Sequence, residues 1–184
     1  MQTWRRLPAL AGLLSLLATS TVPPAAAEAF RPIEAFGRVK LDVPATWRCG
    51  PAEGGAMACE APSGLATLTI ALVESRHERP LSDEESRRAA AAIAQMVARG
   101  DEERYGSAYY GWETIDGGAI EGGRAAERDG VTVRTFDWAL LVASAESIVR
   151  VTFQLVAREP FFTTPETRRL VDEIGDRILA AAVR

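Results

Sequence analysis

The chain has 184 residues, with 21 Lys and Arg against 25 Asp and Glu, a formal charge of −4. An acidic chain of this kind argues against nucleic acid and anionic membrane surfaces, both of which call for a dense basic surface. One lysine, Lys40, stands among many arginines. We read it as coding bias.

The first 27 residues read as an export signal. Arg5 and Arg6 give a positive start, Leu7 to Ala18 is apolar, and Ala25-Ala26-Ala27 offers the small-residue pattern for cleavage before Glu28. A spanning helix needs roughly 20 apolar residues, more than this run supplies, and Pro23-Pro24 interrupt it. A lipoprotein signal would need a cysteine at the cleavage point, and the first is Cys49. Leu7-Pro8-Ala9 fits a twin-arginine motif poorly, so the general route is favoured. The expected mature chain, 28–184, is one domain of about 157 residues with charge −6, and no later apolar run is long enough to span.

Residues Glu28 to Arg38 read as a lead-in with some local order. Val39, Leu41 and Val43 alternate with Lys40 and Asp42, the period of a half-buried strand, and Pro44 ends it. Trp47 is large enough to anchor a core. Cys49 and Cys59 are ten apart, with turn residues between them. In an exported chain the pair reads first as a disulfide. A redox or metal pair is disfavoured because the spacing is not C-x-x-C and no histidine is near. Ala56 to Glu60 is a short strand, and Leu65 to Val73 a strong one.

The period then changes. Ser82 and Glu85 form a capping box, and Ala89, Ile93, Met96 and Val97 recur at helical spacing, predicting a helix over 83–99 stopped by Gly100. Ser107 to Ile115 returns to strand. Asp116-Gly117-Gly118 and Glu121-Gly122-Gly123 punctuate the chain beyond it, Arg124 to Arg128 is short, and Asp129-Gly130 signals a hairpin. Thr132 to Ala143 and Ser147 to Ala157 are the longest strands. Thr164-Pro165-Glu166 opens a last helix to about Ala182, lined by Leu170, Val171, Ile174, Ile178 and Leu179 and weakened by Gly175. The expectation is an α+β domain with a mainly antiparallel sheet.

Val43-Pro44-Ala45-Thr46-Trp47 resembles the VP-x-x-W opening of the PsbP-like and DcrB-like proteins, and Gly122-Gly123-Arg124-Ala125-Ala126 resembles their glycine turn. The order of elements matches over about residues 33–183. The resemblance implies a central antiparallel sheet with helices on both faces, an α/β/α sandwich. It also implies a largely non-enzymatic role as an accessory or partner protein in the envelope. No catalytic motif is common to that family. The chain departs from DcrB in lacking the lipoprotein cysteine, and the cysteine pair is not a hallmark of the family.

Candidate sites are few. His77 lies in a charged loop, Arg76-His77-Glu78-Arg79-Pro80, and the serines lack the G-x-S-x-G setting, so a hydrolase is a weak reading. Asp83-Glu84-Glu85 lack calcium-loop spacing and are explained by capping. The glycine pairs precede strands rather than open helices, so turn geometry is preferred to phosphate binding. Phe161-Phe162 suit a hydrophobic staple better than a binding tip. Tyr105, Tyr109, Tyr110 and Trp112 cluster, and alternation places Tyr110 and Trp112 on one strand face and Tyr109 on the other. With Trp47, the last three make a candidate binding surface for an envelope protein or, alternatively, a small apolar or aromatic ligand. No cofactor and no metal set is read from the sequence, and the oligomeric state is left open.

Overall fold

A computed structural model describes residues 28–105, 109–115, 119–128 and 130–183, with side chains at 97–105, 109–115, 119–124 and 127–128 outside that description. The expected signal up to Ala27, and the glycines Gly117-Gly118, lie outside the described residues.

The strands, in chain order, begin with β1 (Phe30–Ala35), β2 (Val39–Pro44), β3 (Arg48–Pro51), β4 (Met57–Glu60) and β5 (Ala66–Arg76). Helix α1 (Asp83–Tyr105) comes next, then β6 (Tyr109–Ile115), β7 (Ala119–Arg128), β8 (Val131–Ala143) and β9 (Ser147–Arg158). Helix α2 (Pro165–Leu179) and β10 (Ala182–Val183) complete the described elements. The strands make two antiparallel sheets: a large one ordered β3-β4-β5-β9-β8-β7-β6 and a small one ordered β1-β2-β10. The class is α+β.

Most sequence signals translate directly. The capping box forms: the Ser82 hydroxyl accepts from the Glu85 amide at 3.3 Å, and a Glu85 carboxylate oxygen accepts from the Ser82 amide at 2.9 Å. Thr164 caps α2 by accepting from the Thr167 amide, with Pro165 at the first helical turn. Gly130, at φ +74°, closes the tight β7–β8 hairpin, where a positive φ is required.

Other expectations are corrected. Residues 30–35 are not a lead-in but strand β1, paired with β2 from Phe30↔Pro44 to Ala35↔Val39. Pro32 hides the strand from a sequence reading, yet β1 is a sheet edge, where a missing N–H costs no ladder bond. Helix α1 passes Gly100 and ends at Tyr105. A glycine interior to a helix costs only about 1 kcal/mol against alanine, too little to stop it without a following proline. Gly122 and Gly123 are inside β7, opposite Asp137 and Phe136. Pairing with β8 overrides their weak strand preference. Helix α2 ends at Leu179, and Ala182 and Val183 instead pair with Lys40 and Val39 of β2.

The main core gathers Val39, Leu41, Val43 and Trp47 with Leu68, Ile70, Trp138, Leu140, Val151, Phe153 and Leu155, closed by Val171, Ile174 and Ile178 of α2. A second, smaller core joins Ala90 and Ala94 of α1 to Ala139, Leu141 and Ile148. Successive strand residues point to opposite faces, and Trp138, Ala139, Leu140 and Leu141 alternate between the two cores.

Candidate functional site

The residues singled out from the sequence do not converge. Trp47 is 2 % exposed and meets Phe161 edge-on, with ring centroids 6.3 Å apart. It anchors the main core and offers no surface. Tyr109, Tyr110 and Trp112 belong to β6, the outer strand of the large sheet, and their side chains lie outside the described set. In register, Tyr109 stands opposite Arg124 and Trp112 opposite Gly122, with an irregularity between them. Phe162 is buried at 6 %, under the Arg134 guanidinium at 4.8 Å, and forms no tip.

Cys49 and Cys59 are directly opposed on β3 and β4 and are bonded to each other. His77 comes immediately after β5. Its amide donates to the Glu146 carbonyl at 2.9 Å, and its Nε2 is buried without a hydrogen-bond partner. Of the acids in the first turn of α1, Glu85 serves the cap, while Glu84 pairs with Arg87 at 3.4 Å and Arg88 at 3.5 Å. Arg79 hydrogen-bonds the Glu85 carboxylate at 2.8 Å, and with the Ser82 amide and hydroxyl it pulls that carboxyl down to about 2. Among the described residues no three His, Cys, Asp or Glu side chains gather as a metal site.

Two features that spacing did not reveal come from the folded arrangement. The first is an open groove of about 700 Å³ between α2 and the small sheet, lined by Glu28, Phe30, Asp42, Glu173, Asp176 and Arg177. Arg177 is committed there: it pairs with Asp42 at 3.3 Å and lies 5.0 Å over the Phe30 ring. The second is a polar row across the large sheet. Thr69 of β5 is the register partner of Gln154 of β9, and Gln154 of Asp137 of β8. The Gln154 amide nitrogen donates to an Asp137 carboxylate oxygen at 2.8 Å. Asp137 is 7 % exposed and Thr135 likewise, whereas Gln154 and Thr69 are half-buried. These are strand residues of ordinary appearance; only the β5–β9–β8 register brings them side by side.

No protein-family model matches the chain, and no curated protein matches it in sequence. Solved structures do resemble it. LpqN of Mycobacterium tuberculosis, described as involved in cell envelope biogenesis, is 17% identical with a TM-score of 0.52, over 84% of this chain and 90% of LpqN. A protein of Bacteroides thetaiotaomicron is 8% identical with a TM-score of 0.50, over 83% of this chain but only 47% of that one. A point mutant of Mog1 is 11% identical, with a TM-score of 0.47 over 84% and 96%. At these identities the first two likenesses show a common fold. No helix among the described residues is long and apolar enough to cross a membrane.

Proposed function

We propose that this chain is an exported, soluble envelope protein of the PsbP-like fold, one domain from Glu28 onward, that acts by presenting a surface to another envelope component rather than by catalysis. The observation that carries export is the Cys49–Cys59 bond, because disulfides persist in oxidising compartments and are rare in the cytosol. The likeness to LpqN supports the envelope setting. The alternation of Trp138 and Leu140 with Ala139 and Leu141 between two cores supports the layered arrangement, with α2 on one face of the large sheet and α1 on the other.

Within the described residues the His77 Nε2 is buried without a hydrogen-bond partner, so nothing there favours it as a general base. Cell fractionation with N-terminal sequencing and thiol titration in denaturant tests the proposal. An envelope fraction starting at Glu28 with no free thiol is expected. A cytosolic protein retaining Met1 and two thiols would overturn it.

A further inference from the structure

We propose that the groove between α2 and the small sheet is completed by the chain's own amino terminus. The α-ammonium released when the signal is cut before Glu28 is the cation that the groove's carboxylates take, and removal of the signal thereby pins β1 to the domain. This rests on the mature start at Glu28 proposed above and gives that cut a structural consequence.

Glu28 is itself part of the groove wall, together with Phe30, Asp42, Glu173, Asp176 and Arg177. It is tied down on two sides. The Thr46 hydroxyl donates to its carboxylate, and the carbonyl of the next residue, Ala29, accepts from the Ala45 amide at 2.7 Å. A backbone nitrogen lies about 1.5 Å from its own Cα. Whatever charge the Glu28 nitrogen carries is therefore delivered to the groove and not left on a free tail. The place also matters mechanically. Strand β1 is the edge of the small sheet and pairs only with β2, so its first residues are where fraying would begin.

The groove is short of positive charge. Four carboxylates line it against one guanidinium. That guanidinium is already engaged, since Arg177 pairs with Asp42 at 3.3 Å and lies over the Phe30 ring. Glu173 and Asp176 stand three residues apart on one face of α2, exposed and without a cationic partner among the described residues. Before cleavage the Glu28 nitrogen is a neutral amide and answers none of this charge. Hydrolysis of the Ala27–Glu28 bond consumes one water. The new carboxylate leaves on Ala27 with the signal, and the new amine stays on Glu28, mostly protonated at neutral pH. Nearby carboxylates favour that charged form. A cation tethered to the wall meets them at a high effective concentration, which a separate basic ligand would not.

The test uses the single lysine, Lys40. In Lys40→Arg the α-amine of the exported protein is its only primary amine, so acetylation blocks that group alone. Intact mass reads the first residue and confirms one acetyl group. Blocking should lower the thermal unfolding midpoint at low ionic strength by about 2 °C, the size of one exposed ion pair in a chain of this length. About 0.5 M salt should remove the difference. With Glu173→Gln and Asp176→Asn added, acetylation should leave the midpoint unchanged. Both acids are exposed, so these variants keep the fold. No shift on acetylation in Lys40→Arg, or an equal shift in both backgrounds, would overturn the proposal. Either result in a protein that begins at Glu28 removes only the pin, whereas a protein that retains Met1 removes the export reading as well.

Discussion

Trp138 lies against Gly175: a methyl group placed on Gly175 would come 3.2 Å from the Trp138 Cζ2 atom and 3.4 Å from its Nε1. Trp138 is 2 % exposed and stacks on Phe136, with ring centroids 6.3 Å apart, so it has little room to withdraw. The glycine that looks like a weak point of α2 is what lets the helix approach the sheet.

Gly175→Leu should therefore destabilise the protein by about 1–3 kcal/mol, the usual range for overpacking a core. Gly175→Ala should come out near neutral, because a helix-propensity gain of about 1 kcal/mol is offset by the tight contact. Urea unfolding of both variants measures this. A clearly stabilised Gly175→Leu would refute the close approach.

Removing the disulfide should weaken the fold without abolishing it. Cys49 and Cys59 close a loop of sequence separation 10 between paired strands, so Cys49→Ser with Cys59→Ser is expected to cost about 2–3 kcal/mol by loop entropy. Thermal or urea unfolding of the double variant, compared with the oxidised parent, measures the loss.

Phe36 is unusual in having φ +58°, beside Gly37 at +64°, in the three-residue β1–β2 connection, where the Arg38 amide donates to the Ala35 carbonyl. A left-handed conformation costs an ordinary residue roughly 1–2 kcal/mol, and asparagine tolerates it well. The residue is 37 % exposed, so the burial lost with the ring offsets most of that relief. Phe36→Asn should change stability by less than about 1 kcal/mol, which a urea midpoint close to the parent's would show.

Glu85 makes the start of α1 sensitive to acid. Its carboxyl is held down to about 2, first by Arg79 and then by Ser82, against an ordinary value of 4.5. A lowered folded value means that the stabilisation is complete above 4.5 and is lost as pH falls towards 2. Acid titration monitored by circular dichroism should show fraying of this helix in that window. Glu85→Gln should flatten the response, while Glu84→Gln should leave it.

Much of the architecture was legible because it is local. Alternation marks β2 and β9, and the Ser82–Glu85 and Thr164–Pro165 signals mark both helix starts. The misses arise where tertiary pairing outweighs local chemistry: Pro32 on a sheet edge, Gly122 and Gly123 inside a paired strand, Gly100 inside a helix. The Thr69–Gln154–Asp137 row was illegible for a different reason. Its members lie on three strands far apart in sequence, and only the sheet register makes them neighbours.

The small sheet has a kinetic consequence. Strand β2 is flanked by β1, close before it, and by β10, which arrives only after every other described element. One flank can zip locally, but the other must wait for a partner across almost the whole domain. Contacts of such long range slow the search for the native state. In a polypeptide threaded outward from its N-terminus, β2 would pass through with one edge bare and be sealed last.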